Sequence, residues 1–217
     1  IAICKQNLQN KTAQAVIVNS GNANTCNADG EQKAQMMCDL AAEALGIDPK
    51  DVIVSSTGVI GKIMPIEPIQ QHIKELAAAL NEHGNTDAAE AIMTTDTVSK
   101  EVAVTFDLGG VPCTIGGMAK GSGMIHPNMA TMLCFITTDV AIKPDLLQSA
   151  LTRVVDDTFN MVSIDGDTST NDTCAIMASG TAGNPIIDTM NGPEFQKFVD
   201  GLYIVLMNLS RKIAADG

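Results

Sequence analysis

The chain of 217 residues carries 13 Lys and Arg against 25 Asp and Glu, a formal net charge of −12. A strongly acidic chain without a basic cluster does not match the phosphate backbone of nucleic acids, and an aromatic content of 3% leaves few platforms for base stacking. Hydrophobic residues make up 45% of the chain, which is enough for a full apolar core. Composition therefore excludes nucleic-acid-binding proteins and disordered proteins.

The sequence also has the features of a cytoplasmic protein. It contains no run of about 18 apolar residues, the length typical of a transmembrane helix, and its first residues do not form a signal peptide. Its six cysteines lie far apart without a CxxC pair, so reduced thiols are expected rather than disulfides or a zinc site. We expect a cytoplasmic protein that binds neither nucleic acid nor a membrane.

Short apolar segments typical of buried strands alternate with segments whose apolar residues recur at helical spacing. In chain order the predicted elements are a strand at the first residues, strands at 14–19 and 51–55 with a helix at 31–45 between them, helices at 65–80 and 87–93, a hairpin of 100–108 and 111–115 with a Gly109-Gly110 turn, a strand at 131–137, a helix at 144–159, strands at 161–164 and 173–178, and a long helix from Pro193. Because a hairpin interrupts the alternation, we expect an α+β fold with mixed sheets and helices packed outside them.

Two segments only imitate ligand-binding motifs. Residues 116–122 have the glycine spacing of a phosphate-binding loop but lack the Lys-Ser/Thr pair that reaches phosphate and magnesium. Residues 165–176 begin like a calcium loop but have Thr170 where the loop needs Gly and Ile176 where it needs Glu. The histidines form no ligand pattern and no Ser-His-Asp arrangement. We therefore expect neither a nucleotide site nor a metal site.

A glycine-rich stretch ends in Ala130-Thr131, at the start of a predicted strand. A Thr hydroxyl is a weak nucleophile that needs a base nearby, and its own α-amine, with a pKa of about 8, can serve as that base. The amine is free only if the bond before Thr131 has been cut. The flexible stretch and the small Ala130 side chain would let the Thr131 hydroxyl take the acyl group from nitrogen, and hydrolysis of the ester would leave an N-terminal threonine. Spacing alone permits this self-cleavage but does not select it.

Two other features are candidates for a site. Thr57-Gly58 lies in a turn of small residues after a buried strand, where a hydroxyl and a backbone N–H can point at one position, as an oxyanion hole requires. Lys120 is a lone cation in the glycine-rich stretch, where it could bind a substrate carboxylate or lower the proton affinity of the Thr131 amine. On the residues alone, the simpler interpretations are an ordinary turn and a solvated loop lysine.

Five stretches together carry a family resemblance. They are IVNSGNAN (17–24), STGVIG (56–61), TTDT (94–97), GMAKGSGMIHPNMATML (117–133) and DGDTSTND (165–172). In this order, and over nearly the whole chain, they resemble the ornithine acetyltransferase (glutamate N-acetyltransferase) family of arginine biosynthesis. The resemblance implies a four-layer α-β-β-α sandwich with a self-cleaving, N-terminal-nucleophile-like architecture.

The resemblance also implies a mechanism. The precursor would cut itself between Ala130 and Thr131, and Thr131 would then carry acetyl from N2-acetylornithine to glutamate in a ping-pong reaction. Thr57 and Gly58 match the oxyanion residues of the family, and Thr97 and Lys120 match its substrate contacts. No metal or coenzyme is implied, although acetyl-coenzyme A could be an alternative acetyl donor.

The ends of the sequence suggest a fragment, because it starts without Met inside a predicted strand and stops just after a helix. We expect an N-terminally truncated α-chain segment, 1–130, and a C-terminally truncated β-chain segment, 131–217, which together form one intertwined domain. The resemblance implies association as two α and two β chains. Two alternatives stay open: a self-processing aminopeptidase of the related fold, whose expected nucleophile is Ser rather than Thr131, and a non-catalytic small-molecule-binding fragment.

Overall fold

The computed structural model describes residues 1–125, 132–167, 169 and 172–217. These residues form two compact units, an N-terminal unit, Ile1–Thr94, and a C-terminal unit, Thr95–Gly217. The segments 1–130 and 131–217 predicted from the sequence are defined by backbone cleavage, whereas these units are defined by compact packing. The predicted segments therefore stay a prediction. None of the described helices combines the length and the apolar character needed to cross a lipid bilayer.

The N-terminal unit is built on a pair of parallel strands. Its elements are α1 (Ala2–Asn7), β1 (Ala15–Asn19), α2 (Gly30–Leu45), β2 (Val52–Ser56), α3 (Glu67–Ala78) and α4 (Asn85–Ala91), with 3₁₀ turns at Leu8–Asn10 and Pro49–Asp51. The strand pairing runs from Ala15 opposite Val52 to Asn19 opposite Ser56. The buried face of α2 packs on the strands, and Gly46 ends this helix in the left-handed conformation. Because parallel strands end at the same edge, the loops after β1 and β2 meet there.

The C-terminal unit is a mixed sheet covered by helices. Its elements are β3 (Lys100–Leu108), β4 (Val111–Lys120), β5 (Leu133–Thr138), α5 (Pro144–Asp156), β6 (Thr173–Ala178) and α6 (Pro193–Asp216), with a 3₁₀ turn at Phe159–Met161. The strand order is β3-β4-β5-β6, in which β5 and β6 are parallel and the other neighbours are antiparallel. The helix α6 packs on β3 and β4. It approaches closely at Gly201, where a Cβ would lie 3.2 Å from the ring of Phe106.

The predicted α+β class is confirmed. Each unit packs helices on a sheet, and the C-terminal sheet contains both parallel and antiparallel pairs, as a sandwich with mixed sheets requires. The Gly109-Gly110 hairpin is present, with positive φ at both glycines.

The strand predicted at the first residues is wrong, because Ala2–Asn7 is a helix. Ile3 and Asn7 are both buried, and a spacing of four residues places them on one helical face. The Asn7 side-chain amide donates to the carbonyls of Pro49 and Val52, at 3.2 and 3.0 Å. The apolar start of the chain therefore covers the beginning of β2 without joining the sheet.

The strand predicted at 161–164 is also wrong. Met161 closes the 3₁₀ turn and is 72% exposed. The helix predicted at 65–80 is shorter, at Glu67–Ala78, since Pro68 lies in its first turn and Pro65 precedes it.

Two residues of α6 test how much the core contributes to stability. Leu206 is fully buried, whereas Ile204 is 48% exposed on the same helix. We expect Leu206→Ala to lower the free energy of unfolding by about 2–5 kcal/mol, because it leaves a cavity between α6 and the sheet. Ile204→Ala should lower it by less than about 1 kcal/mol. Denaturant unfolding of the full-length protein measures both, and equal losses would contradict the assigned packing.

Candidate functional site

The N-terminal unit places Thr57 and Gly58 at the edge where β1 and β2 end. The Thr57 N–H donates to the Asn19 carbonyl at 2.8 Å, and the Thr57 side chain is buried. Beyond the strands, Asn22 and Val59 form one more parallel bridge. The two loops are thus locked to each other, and the backbone on either side of Gly58 is held in place.

Gly58 is required by geometry. Its φ is +117°, and a Cβ at this position would lie 2.7 Å from the carbonyl carbon and oxygen of Gly21 and 2.9 Å from the Asn22 nitrogen. The facing loop is fixed by Asn19, whose side chain accepts from the Gly21 N–H at 3.0 Å and donates to the Asn22 carbonyl at 2.8 Å. This arrangement can hold a backbone N–H and a hydroxyl in fixed directions, which an oxyanion hole needs.

A pair of glycine variants tests this packing. Gly58→Ala should lower the free energy of unfolding by at least about 2 kcal/mol, since the new methyl group would collide with the Gly21 backbone. Gly61 also has a positive φ, of +75°, but a Cβ there would meet nothing within 4 Å. Gly61→Ala should therefore lose only about 1 kcal/mol. Thermal and denaturant unfolding compare them, and a harmless Gly58→Ala would show that the two loops are not locked.

In the C-terminal unit, Lys120 is not the solvated loop lysine that the glycine-rich sequence predicted. It is the last residue of β4 and is 1% exposed. Lys120 pairs with Leu133 on β5, and Leu133 pairs with Thr173 on β6. The prediction failed because the glycines at 116–117 lie within the strand, where Gly117 makes room for neighbouring side chains.

A network of buried charges surrounds Lys120. The Lys100 ammonium donates to Asp96 Oδ1 at 2.8 Å and to Asp216 Oδ2 at 2.6 Å. The Lys120 ammonium lies 3.7 Å from Asp96 Oδ2, which is longer than a hydrogen bond. The Lys120 ammonium is therefore held less tightly by Asp96 than the Lys100 ammonium is. The Asp216 carboxylate also accepts from the N–H of Thr97, at 3.0 Å, and from its hydroxyl.

Burial and neighbouring charges shift the proton affinities of this network. Burial lowers the pKa of Lys120; Asp96 opposes this shift and Lys100 adds to it. Burial alone would raise the pKa of Asp216, but hydrogen bonds from Lys100 and Thr97 outweigh it and lower the pKa to about 2. Since this pKa is below that of an unfolded Asp, the ionised Asp216 stabilises the fold above about pH 4, and the effect is lost as the pH falls towards 2.

Removing the central cation tests the network. Lys100→Met should lower the free energy of unfolding by about 3 kcal/mol, because buried carboxylates lose their counterion. Lys143 provides a matched control, since its ion pair with Asp188 spans 3.7 Å and both side chains are more than half exposed. Lys143→Met should cost less than about 1 kcal/mol. Similar losses in the two variants would mean that burial adds nothing to the Lys100 pairs.

Each unit of the structure contains two of the predicted site residues. Thr97 and Lys120 both contact the buried charges of the C-terminal unit, whereas Thr57 and Gly58 belong to the N-terminal unit. Ala130 and Thr131 lie outside the described residues. Within the part of the chain that the structure describes, no group of three or more His, Cys, Asp or Glu side chains could hold a metal ion.

Sequence reasoning missed four charged residues of this region: Asp96, Lys100, Asp172 and Asp216. Asp172 is buried, and its Oδ1 accepts from the Met132 N–H at 2.8 Å. Burial raises the pKa of Asp172 to about 6, against the lowering effects of the Met132 N–H, Ser169 and Lys120. The sequence contains two signals of these residues. Asp96 and Lys100 are charges four positions apart beside a threonine-rich turn, and Asp172 directly precedes an apolar strand.

The sequence model of one protein family, the ArgJ family, matches residues 1–217. Among curated proteins, the chain is 52% identical over 205 residues to the arginine biosynthesis bifunctional protein ArgJ of Symbiobacterium thermophilum, covering 94% of this chain and 51% of that protein. It is 46% identical over 219 residues to the ArgJ protein of Thermosynechococcus vestitus, covering 100% of this chain and 52% of the relative. The chain thus spans about half the length of these relatives.

Two solved structures are similar to this chain. The crystal structure of the arginine biosynthesis bifunctional protein ArgJ from Bacillus halodurans matches with a TM-score of 0.55 and 40% identity, over 59% of this chain and 69% of that chain. The ornithine acetyltransferase of Mycobacterium tuberculosis, solved in complex with ornithine, matches with a TM-score of 0.54 and 34% identity over the same shares.

Proposed function

The chain belongs to the ArgJ family, and from this premise we propose that it forms part of a glutamate N-acetyltransferase of arginine biosynthesis. The observation that carries the proposal is the match of the family over residues 1–217, a range that includes the Ala130-Thr131 pair. The ornithine complex of the related Mycobacterium tuberculosis enzyme supports an amino-acid substrate.

The proposed chemistry begins with self-cleavage. The Thr131 hydroxyl attacks the Ala130 carbonyl carbon, the C–N bond breaks as an ester C–O bond forms, and the hydroxyl proton passes to the departing amine. Water then hydrolyses the ester, which leaves a carboxylate on Ala130 and a free amine and hydroxyl on Thr131. The amine is thereafter the general base for that hydroxyl.

Acetyl transfer follows in two balanced steps. The Thr131 hydroxyl attacks the acetyl carbon of N2-acetylornithine, the amide C–N bond breaks, and ornithine leaves with the proton. The amine of glutamate then attacks the acetyl-threonine ester, and N-acetylglutamate leaves as the hydroxyl is restored. Thr57 and Gly58 are proposed to stabilise the oxyanion in both steps.

Lys120 and Thr97 are proposed as substrate contacts. A buried ammonium that lies 3.7 Å from Asp96 suits the α-carboxylate that ornithine and glutamate share. No metal or coenzyme takes part in the proposed cycle, since the acyl-enzyme carries the acetyl group, and acetyl-coenzyme A is an alternative acetyl donor. We also propose that the enzyme is cytoplasmic and consists of two α and two β chains.

Replacing Thr131 in the full-length protein tests the function. Thr131→Ala should remain one uncut chain on a denaturing gel and lose glutamate acetylation from N2-acetylornithine by at least about 10³-fold, because both reactions use the same hydroxyl. Thr105, an exposed threonine of β3, is a matched control, and Thr105→Ala should be cut and active like the wild type.

The outcomes separate the competing interpretations. An uncut but folded wild-type protein without acetyl transfer would favour a small-molecule-binding protein. Cleavage followed by peptide hydrolysis instead of acetyl transfer would favour an aminopeptidase. Assays with acetyl-coenzyme A as the only donor decide whether it is a substrate.

A further inference from the structure

Two segments of the C-terminal unit, 125–132 and 164–173, are hydrogen-bonded to each other at both of their ends. Ile125 and Met132 are seven positions apart, and so are Asp165 and Asp172. At the first junction, the Ile164 N–H donates to the Ile125 carbonyl at 2.8 Å. At the second, the Thr173 N–H donates to the Met132 carbonyl at 3.1 Å.

An aspartate carboxylate reinforces each junction. Asp165 accepts the Ile125 N–H on Oδ1 at 2.8 Å and the Met124 N–H on Oδ2. Asp172 accepts the Met132 N–H on Oδ1 at 2.8 Å. The Met132 N–H belongs to the peptide bond that joins Thr131 to the next residue. The two carboxylates thus hold the described backbone on both sides of the Ala130-Thr131 bond.

The two aspartates differ in environment. Asp165 is exposed, and the Met124 N–H is the main cause that lowers its pKa, so its carboxylate is ionised at neutral pH. Asp172 is 8% exposed, and burial raises its pKa to about 6. A raised pKa means that this group favours the folded state at low pH and that the benefit is lost as the pH rises through about 6. Burial thus disfavours the ionised form of Asp172, and the Met132 N–H is the first of the groups that oppose this effect.

We propose that Asp165 and Asp172 are positioning residues for self-cleavage, which hold the two flanks of the Ala130-Thr131 bond so that the Thr131 hydroxyl reaches the Ala130 carbonyl carbon. The proposal rests on the proposed function, because it presumes that this bond is cut. An acyl shift needs its reacting atoms about 3–3.5 Å apart. Fixing both ends of a short segment reduces the number of conformations open to it, and so the entropy that this approach costs.

The two aspartates differ after the cut. Met124 and Ile125 then belong to the α segment, whereas Asp165 and Asp172 belong to the β segment. The Asp165 contacts become contacts between two chains, and they hold the backbone that leads to the new carboxyl end. Asp172 and Met132 stay on one chain, so their hydrogen bond keeps the peptide after the N-terminal threonine in place.

The experiment measures the first-order rate of self-cleavage in full-length protein with Asp165→Ala, Asp165→Asn, Asp172→Ala and Asp172→Asn. Both alanine variants should be cut at least about tenfold more slowly than the wild type. Asp172→Asn should recover most of the rate, because its amide oxygen can still accept the Met132 N–H. Asp165→Asn should stay slow, because one amide oxygen replaces two acceptors.

A matched control is Asp107→Ala. Asp107 also accepts a backbone N–H, that of Gly110 at 3.0 Å, but it does so at the β3-β4 turn. This variant should be cut at the wild-type rate. Hydroxylamine, which cleaves esters but not amides, should fail to speed cleavage of the alanine variants, since the positioning defect precedes the ester.

The results distinguish a failure of the positioning role from a failure of the proposed function on which it rests. A wild-type protein that is never cut would overturn the proposed function. A cut and active wild type with equally fast alanine variants would overturn only the positioning role, as would an Asp172→Asn variant as slow as Asp172→Ala. If the alanine variants do not fold, the contrast between the two asparagine variants decides the proposal, with thermal unfolding as the check on their folds.

Discussion

The register of β4, β5 and β6 is the constraint on which the C-terminal site depends. Because Lys120 pairs with Leu133 and Leu133 with Thr173, the end of β4 and the starts of β5 and β6 meet at one edge of the sheet. A shift of one residue would turn Lys120 to the opposite face of the sheet and separate it from Asp96. The sheet thus brings together residues far apart in sequence with the precision that hydrogen-bonded strands allow.

Buried charge at this edge has a cost that only pairing offsets. Lys100 has no exposed surface, and it is compensated by Asp96 and Asp216. Its contact with Asp216 also attaches the end of α6 to the start of β3, beside Thr97. Lys120 shares Asp96 but does not come within hydrogen-bond distance of it. Asp96 therefore pairs closely with Lys100 and more loosely with Lys120.

Local patterns predicted much of the fold. The β1, α2 and β2 elements and the β3-β4 hairpin follow from apolar spacing and from glycines at turns, which act over a few residues. The first helix was missed because its burial comes from a contact between Asn7 and β2 that is distant in sequence. Lys120 was assigned to a loop because glycine usually interrupts strands, whereas Gly117 here fits between Ile136 and Leu209.

The site was predictable only in part, for a similar reason. Thr57, Gly58, Thr97 and Lys120 stand in motifs that a family resemblance can match one by one. Asp172 also stands in such a motif, the 165–172 stretch, but the motif does not reveal its partner, because its contact with Met132 exists only once β5 and β6 are aligned. The roles of carboxylates that bind backbone N–H groups depend on register, and register is a property of the folded sheet.

The same sheet explains how a chain cut at 130/131 would stay together. Such a cut falls between β4 and β5, whose pairing from Ile115–Thr138 to Lys120–Leu133 does not depend on the connection between them. The helix α6, on the later segment, buries Leu202 and Leu206 in the core that β4, on the earlier segment, shares. Separating the segments would expose this core and break the ladder, whereas cutting the connection relieves only a loop constraint. Strand pairing and core packing would therefore hold the two pieces of the C-terminal unit together after the proposed cut.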